Sequence, residues 1–243
     1  MNKVVKPYDS SELSKKEQVE DMFDSISPKY DFLNHFLSFG IDHVWRKKAI
    51  NLLKSSQPKT ILDVATGTGD LAFAASKRLR PDKIIGIDIS NGMLEIGRKK
   101  ILDKGLNDTI EFVKGDSEFL PFGDNQFDAV MVSFGVRNFE NLHNGLCEIF
   151  RVLKKGGSFV VLEFSKPKNF PIKQFYRFYS RFLLPKLGGI ISKDQSAYHY
   201  LPASVAVFPE GNDFVKELNV IGFTQISSIR LSGGIATIYY SKK

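Results

Sequence analysis

The stretch that decides the fold is "TILDVATGTGDLAF", residues Thr60 to Phe73. It starts as a short apolar run, passes through Gly67-Thr68-Gly69 and continues with a helical pattern, which is how a nucleotide-binding strand-to-helix crossover begins. The loop fits the loose dinucleotide pattern, with Ala72 in the place of the third glycine. Residues outside this loop are needed to distinguish a dinucleotide from another ligand that binds at such a turn.

Strand and helix signals alternate through the middle of the chain. Apolar runs predict strands over 60–65, 83–89, 110–116, 127–134 and 158–164, and residues at helical spacing predict helices over 70–79, 91–104 and 141–153. This alternation predicts a mainly parallel sheet with helices on both faces. Near the end, 223–231 and 235–241 flank Ser232-Gly233-Gly234 and predict an antiparallel hairpin, which is not the arrangement of an NAD-binding domain with two equal halves.

The composition predicts one domain of 243 residues with a substantial apolar core. Within it we expect a helical, aromatic-rich cap over about 1–45 and an insertion over about 165–211. The single cysteine excludes an internal disulfide, and the four histidines lack the spacing of metal ligands, so no metal site is predicted. The first residues have no apolar core, which argues against a secretory signal, and no run reaches the roughly 18 apolar residues of a membrane span.

Acidic and small polar residues at the strand ends favour a ligand other than NAD. Asp63 lies inside the first strand, where a carboxylate would face a diphosphate unfavourably but would suit a sulfonium or amino cation. Asp88 follows Gly67 by 21 residues and is placed to accept both hydroxyls of a ribose. Asp116 and Ser117 end the third strand, where they could hold the amine of adenine, and Ser133 ends the fourth.

This ordered series resembles the class I S-adenosylmethionine-dependent methyltransferases. The resemblance implies a mainly parallel seven-stranded sheet closed by the C-terminal hairpin, with S-adenosyl-L-methionine as cofactor. Taken singly, each acid could be an ordinary solvated residue at a strand end, and the threonines could only form the turn. The predicted cofactor-binding residues are Asp63, Gly67, Thr68, Gly69, Asp88, Ile89, Asp116, Ser117 and Ser133.

Four further motifs narrow the resemblance to one family. They are "YDFLNHFLSFGIDHVW" (30–45), "SFGVRNF" (133–139), "RVLKKGGSFVVLEFSKP" (151–167) and "AYHYLPASV" (197–205). These motifs resemble the ubiquinone/menaquinone biosynthesis C-methyltransferases over residues 14–242. The resemblance implies C-methylation of a prenylated quinol, demethylmenaquinol first, with a demethylated polyprenyl benzoquinol as the alternative. One departure is Asp42, which stands where that family usually has histidine, with His43 displaced by one position.

The resemblance also implies catalytic residues. Arg137 and Asn138 follow the fourth strand, and the guanidinium, which stays protonated, can stabilise a phenolate or orient a water. Tyr30 is the second candidate and His199 a weaker third. Alternatively, Arg137 closes its loop through a salt bridge with Glu140. The residues predicted to wall an apolar substrate pocket, unless they are ordinary core, are Phe32, Phe36, Phe178, Phe182 and His199.

Charge is concentrated between residues 166 and 200, where seven Lys or Arg stand against one acid and leave a net charge of +6 among eight aromatic residues. Because a polyprenyl quinol resides in the bilayer, we expect a cytoplasmic enzyme bound reversibly to the anionic inner membrane surface.

The main alternative from another functional class is a nucleic-acid-binding protein. The aromatic residues of this segment lie at helical spacing, however, which suits burial or a membrane better than base stacking. A methyltransferase for a soluble molecule would not need this insertion, and the intact motif residues argue against a cofactor-binding pseudoenzyme. The oligomeric state stays open, a homodimer included.

Overall fold

The computed structural model describes residues 5–8, 10–180 and 196–243. Within these ranges seven strands form one sheet in the order β3-β2-β1-β4-β5-β7-β6. The strands are β1 (Thr60–Val64), β2 (Lys83–Asp88), β3 (Ile110–Lys114), β4 (Phe127–Ser133), β5 (Leu153–Phe164), β6 (Thr224–Leu231) and β7 (Ala236–Lys242). The first five run parallel, while β7 is antiparallel to both β5 and β6. The predicted mainly parallel sheet with a C-terminal antiparallel hairpin is therefore confirmed.

Strand β4 shows how the sheet is buried on both faces. Ala129 and Met131 pack into one apolar cluster, whereas Val130 and Val132 pack into the other. All four residues are at most 1% exposed. Because successive side chains of a strand point to opposite faces, the continuous apolar run buries both sides of the sheet, as expected of a parallel sheet covered by helices.

Helices cover both faces and the carboxyl end of the sheet. They are α1 (Lys15–Leu37), α2 (Ile41–Asn51), α3 (Asp70–Leu79), α4 (Asn91–Asp103), α5 (Leu142–Val152), α6 (Ile172–Phe178), α7 (Ser196–Val207) and α8 (Asn212–Ile221). The predicted cap over 1–45 corresponds to α1 and the start of α2, although α2 continues to Asn51. None of the helices in the described ranges combines the length and apolar character that crossing a membrane requires.

The sequence predicts that the fifth strand begins at residue 158, after Gly156-Gly157; regular pairing with β4 does resume only at Ser158, although the strand itself begins earlier. Strand β5 starts at Leu153, directly after α5, and runs through both glycines to Phe164. Gly156 adopts a φ of +75°, a left-handed conformation that suits glycine and lets the chain bend without leaving the sheet. The glycines therefore mark an irregularity within the strand rather than the loop that their sequence suggests.

Helix α1 begins at a capping box. The Ser14 hydroxyl accepts from the Glu17 amide, and the Glu17 carboxylate accepts from the Ser14 amide at 2.8 Å. Such reciprocal bonds satisfy two of the amides that a helix start leaves unpaired. From this start α1 packs Val19, Met22 and Ile26 against Met93 of α4, which lays the helix across the carboxyl ends of the parallel strands.

Candidate active site

The two glycines of the loop after β1 have different structural roles. Gly67 adopts a φ of +57°, and its amide donates to Asp88 Oδ2 at 2.8 Å. Gly69 has a φ of +91°, and a Cβ there would come 2.4 Å from Cζ of Phe112. Gly67 faces a cavity, but Gly69 lines none of those described below. Close packing on Phe112, rather than approach to a ligand, therefore explains Gly69.

The first cavity lies at the carboxyl ends of β1, β2, β3 and β4 under α1. Of the predicted cofactor residues, Gly67, Asp88, Ile89, Asp116, Ser117 and Ser133 line it. A smaller cavity beside the same loop is lined by Asp63, Thr66 and Thr68 among others. The structure thus brings the strand-end residues together at one edge of the sheet.

The two acids nearest the loop are buried. Asp63 Oδ2 accepts from the Thr66 hydroxyl at 2.7 Å, and Asp88 Oδ1 accepts from the Ser90 amide at 2.9 Å. Burial, with the charge of Asp88 adding to it, raises the pKa of Asp63 to about 7. Burial, with the charge of Asp24 adding to it, raises the pKa of Asp88 to about 6. Positive charge or hydroxyl donors on a ligand would favour the ionised carboxylates.

Helix α1 is fastened over the first cavity by polar contacts. Asp24 caps α4 by accepting from the Ser90 hydroxyl at 2.6 Å and the Gly92 amide at 2.8 Å. Lys16 Nζ lies 2.9 Å from Asp116 Oδ2. Asp116 is predicted to hold an adenine amine, and it lines the first cavity, but its carboxylate already forms an ion pair with Lys16 of α1. No signal in the sequence connects Lys16 to Asp116, since 100 residues separate them.

The Thr68 side chain is also taken up by the cap. Its hydroxyl donates to Asp31 Oδ1 at 2.5 Å and accepts from Lys100 Nζ at 3.1 Å. Asp31 pairs with the same lysine at 2.6 Å. Thr68 lines the small cavity, but its hydroxyl joins the glycine loop to α1 and α4. We therefore expect the backbone of Thr68, rather than its hydroxyl, to contact the cofactor.

A second cavity lies between α1, α2 and α7 and shares a wall with the first. Phe23, Tyr30 and Phe134 line both cavities. The remaining lining is mostly aromatic or apolar, with a few polar groups: Met22, Ile26, Asn34, Ser38, Asp42, Trp45, Arg46, Arg137, Phe164, Ala197, Tyr198, Tyr200 and Leu201. An apolar cavity with few polar groups is typical of a site for a largely apolar molecule.

Arg137 lies in this second cavity and is held by a buried partner. Its Nη1 donates to Glu163 Oε1 at 2.8 Å and also to the carbonyl of Phe134. Glu163 is fully buried, and its other oxygen accepts from the Arg137 backbone amide at 3.3 Å. The alternative of a loop-closing salt bridge is therefore met by a different partner: Arg137 pairs with Glu163 and bonds the Phe134 carbonyl of its own loop, whereas Glu140 accepts from the Lys15 amide. The pairing with Glu163 leaves the rest of the guanidinium available to the cavity.

Tyr30 and Asn138, the other two catalytic candidates, lie at the shared edge of the cavities. Tyr30 is hydrogen-bonded to Asn34, and burial raises the pKa of its hydroxyl. Asn138 lines the first cavity. The three candidates therefore surround the region where the cavities meet, although each touches a different part of it.

Polar atoms without partners mark the same region. Seven buried side-chain N or O atoms of the described residues have no hydrogen-bond partner, and six of these belong to residues that line a cavity. The six are Arg46 Nε, Asp63 Oδ1, Ser133 Oγ, Arg137 Nε, Asn138 Oδ1 and Tyr200 Oη. Buried polar groups are normally hydrogen-bonded, so such a concentration points to ligands that complete the site. The free oxygen of Asp63 suits a cationic group, and the strand-end position of Asp88 suits a ribose, which fits S-adenosylmethionine.

Several residues predicted to wall the substrate pocket lie elsewhere. Phe32 and Phe36 are 60% and 46% exposed and stack on each other with ring centroids 5.7 Å apart. Phe178 and His199 are also exposed, and none of these four lines a described cavity. Phe182 lies outside the described residues. The neighbours of His199 line the second cavity instead, namely Tyr198 and Tyr200.

Asp42, the departure in the first motif, orders Arg46. It accepts from the Ser38 hydroxyl at 2.7 Å, bonds His35 Nδ1 at 2.9 Å and pairs with Arg46. His35, Asp42 and His43 lie close enough to suggest a metal centre. The rings of His35 and His43, however, stack 4.3 Å apart at 25°, so their lone pairs lie in nearly parallel planes and do not converge. With Arg46 on the same carboxylate, the group is better described as a hydrogen-bond network.

The comparisons with known proteins agree with this geometry. A model of the ubiE/COQ5 methyltransferase family matches residues 11–243. The chain belongs to this family. A demethylmenaquinone methyltransferase of Bacteroides fragilis is 50% identical to it over 98% of this chain and 97% of that protein. The ubiquinone/menaquinone biosynthesis C-methyltransferase UbiE of Geotalea daltonii is 43% identical over 94% of this chain and 97% of its own length.

A solved structure supports the fold. The chain resembles a SAM-dependent methyltransferase of Thermotoga maritima with a TM-score of 0.64 at 19% identity, covering 92% of this chain and 99% of that one. Family membership together with this fold confirms the predicted cofactor, S-adenosylmethionine. Which side chains hold the cofactor stays a prediction, carried by the cavity and its unpartnered atoms.

The buried acids give this binding a pH dependence. We expect the affinity for S-adenosylmethionine to rise between about pH 5.5 and 7.5, because binding favours ionised carboxylates whose pKa values are raised to about 7 at Asp63 and about 6 at Asp88. Since both folded pKa values exceed those of an unfolded chain, the stability of the ligand-free protein should fall as pH rises from about 4, the ordinary pKa of an aspartate, to about 7. Calorimetry in buffers of different ionisation enthalpy measures the released protons. The Asp63→Asn variant should flatten the profile, and an equally steep profile in that variant would contradict the role of Asp63.

Proposed function

We propose that this protein transfers a methyl group from S-adenosylmethionine to a ring carbon of a prenylated quinol. Demethylmenaquinol is the first candidate substrate, because the Bacteroides fragilis relative is named for demethylmenaquinone and is 50% identical over nearly the whole chain. The demethylated benzoquinol of ubiquinone synthesis is the second candidate, since the Geotalea daltonii relative carries both quinones in its name. A quinol is required rather than a quinone, because only the electron-rich ring attacks.

The observation that carries the proposal is the shared wall between the two cavities. Residues at the strand ends line one side of Tyr30 and Phe134, and an aromatic cavity lies on the other. A methyl donor and an apolar ring bound on the two sides would meet at this wall. Holding two reactants in a fixed geometry is the main contribution such a site needs to make.

The side chains of the second cavity have distinct roles in this proposal. Bound S-adenosylmethionine would supply an already activated methyl group and leave as S-adenosylhomocysteine, while the methylated ring carbon loses its proton, so the protein need not supply a nucleophile. Arg137, held by Glu163, offers positive charge to a developing phenolate. Tyr30 stays neutral at physiological pH, since burial raises its pKa, and adds a hydroxyl to the same region. Trp45, Phe134 and Phe164 exclude water from the ring.

An assay with labelled S-adenosylmethionine tests the proposal. Under reducing conditions we expect label in the methyl product of a short-chain demethylated naphthoquinol and a weaker or absent signal with the matching benzoquinol. The oxidised naphthoquinone serves as control and should accept no methyl group. Labelling of the benzoquinol alone would move the assignment to ubiquinone synthesis, and labelling of neither quinol would overturn the proposed reaction.

We further propose that the protein binds the cytoplasmic face of the membrane reversibly. In the insertion, Lys168, Lys173 and Arg177 are exposed, and Phe175 beside them is 73% exposed. The turn between α1 and α2 adds Phe39, which is 85% exposed. Arg181, Lys186 and Lys193, which contribute to the predicted basic segment, lie outside the described residues. Exposed aromatics beside basic side chains are typical of surfaces that bind anionic lipid.

Changing Lys168, Lys173 and Arg177 together to glutamine should weaken binding to anionic vesicles. At roughly 1 kcal/mol for each basic residue, the loss amounts to about 100-fold at low salt and shrinks as salt is added. Vesicle flotation measures it, and turnover of a water-soluble quinol should be kept. A matched control changes Lys54, Lys77 and Arg78, which are exposed and lie outside the insertion. Equal, salt-independent partitioning of both variants and the wild type would show that the charges only keep the insertion in solution.

A further inference from the structure

Tyr200 carries a hydroxyl that the fold does not use. The residue lies in α7 and is 3% exposed, yet its Oη has no hydrogen-bond partner in the part of the chain that the structure describes. Tyrosine hydroxyls that are buried usually find a partner. Burial raises the pKa of Tyr200 to about 12, so the group is a neutral phenol that can donate a hydrogen bond.

Other tyrosines show the usual structural use of this group. The Tyr239 hydroxyl accepts from the Gly211 amide at 2.6 Å, and the Tyr240 hydroxyl lies 3.2 Å from Ser158 Oγ. Both bonds join β7 to another part of the chain. Phenylalanine would fill the space of Tyr200 equally well, so packing accounts for the ring of this residue but not for its hydroxyl.

The position of Tyr200 assigns the hydroxyl to the second cavity. Tyr200 lines that cavity together with Arg137, Phe164 and Trp45. Helix α7 contacts the 3-10 turn Val136–Asn138 that carries Arg137, and the charges of Arg137 and Glu163 both act on the Tyr200 phenol. The residue that carries this unpartnered donor therefore lines the same mostly apolar cavity as Arg137.

We propose that the Tyr200 hydroxyl binds an oxygen of the quinol ring by donating a hydrogen bond to it. This inference rests on the proposed function, because it concerns the substrate of that reaction. Paired with the Arg137 guanidinium, the hydroxyl gives the ring a second polar contact within a mostly apolar cavity. It fixes which ring carbon faces the shared wall. A ring without an oxygen in that position would leave the buried donor unpaired, which disfavours its binding.

Tyr200→Phe separates this role from a structural one. Losing one hydrogen bond to the substrate should lower kcat/KM for the quinol about 10- to 100-fold, while the affinity for S-adenosylmethionine stays the same. The melting temperature of the ligand-free variant should be unchanged or higher, because the removed hydroxyl makes no bond. The matched control, Tyr239→Phe, loses a bonded hydroxyl outside the cavity. It should therefore lower the melting temperature and keep the kinetic constants of the folded enzyme.

A binding measurement distinguishes failure of this inference from failure of the proposed reaction. Trp45 is the single tryptophan of the chain and lines the same cavity, so quenching of its fluorescence reports occupancy. A short-chain naphthoquinol should quench the wild type at about 10-fold lower concentration than Tyr200→Phe. Quenching with this difference but without methylation supports the contact and overturns the reaction. Equal kcat/KM and equal quenching in both proteins, or no quenching in the wild type, would overturn the role of Tyr200.

Discussion

Replacing Arg137 with alanine is expected to lower turnover of the quinol about 10²-fold or more, with little change in the affinity for S-adenosylmethionine. The reason is that Arg137 is the cationic residue that Glu163 holds against the second cavity, with Nη1 and Oε1 2.8 Å apart. Arg137→Lys should restore little activity, because an ammonium cannot bond Glu163 and the Phe134 carbonyl with the same planar group. Single-turnover kinetics with saturating cofactor measures the chemical step directly.

The same substitution should also destabilise the protein, so stability must be separated from chemistry. Glu163 is fully buried, and removing its partner leaves a charge whose cost is about 3–5 kcal/mol. Burial raises the pKa of Glu163, so this cost should shrink as pH falls and the carboxyl takes up a proton. The double variant Arg137→Met with Glu163→Gln removes both charges and should regain most of the stability without regaining turnover. Wild-type turnover in this double variant would make Arg137 a structural residue and leave Tyr30 as the leading catalytic candidate.

Replacing Asp88 with alanine is expected to weaken the binding of S-adenosylmethionine by about 10- to 150-fold while the fold persists. Asp88 supports the site in two ways. Its oxygens accept from the Gly67 amide at 2.8 Å and the Ser90 amide at 2.9 Å, which shapes the glycine loop, and the same carboxylate lines the first cavity. Losing it removes the expected bonds to the ribose and loosens the loop beside them.

Calorimetry on purified, folded Asp88→Ala measures this loss. The matched control is Asp82→Ala, at the opposite end of β2. The Asp82 side chain is 71% exposed, and its Oδ1 lies 3.5 Å from Lys59 Nζ. We expect wild-type affinity in this control. Wild-type affinity in the Asp88 variant as well would reject Asp88 as a cofactor ligand.

The sequence predicted the sheet because its signals are local. The runs around Ile61, Ile84 and Val130 are buried on both faces, and continuous apolar strands between helices permit few other arrangements. The acids at the strand ends were predictable for a related reason: parallel strands present their carboxyl ends at one edge. Asp88 and Asp116 needed no knowledge of distant contacts to be placed there.

The missed residues depend on contacts between distant parts of the chain. Arg137 pairs with Glu163 because β4 lies beside β5, whereas the sequence suggested the nearby Glu140. Tyr200 rather than His199 faces the cavity, since that choice depends on how α7 is rotated against its neighbours. The exposure of Phe32 could not be predicted, because the sequence alone does not distinguish an aromatic residue in a pocket wall from one on an open surface.

The buried polar atoms without partners have a consequence for the abundance of the protein. Six of them belong to residues that line the cavities, and only the folded chain brings these six together, so a ligand that bonds them stabilises the fold. A ligand present at 100 times its Kd adds about 2.7 kcal/mol, which for a chain of this size raises the melting temperature by roughly 5–11 °C. Because proteases remove the unfolded chain, we expect the supply of S-adenosylmethionine to affect the half-life of this enzyme as well as its rate.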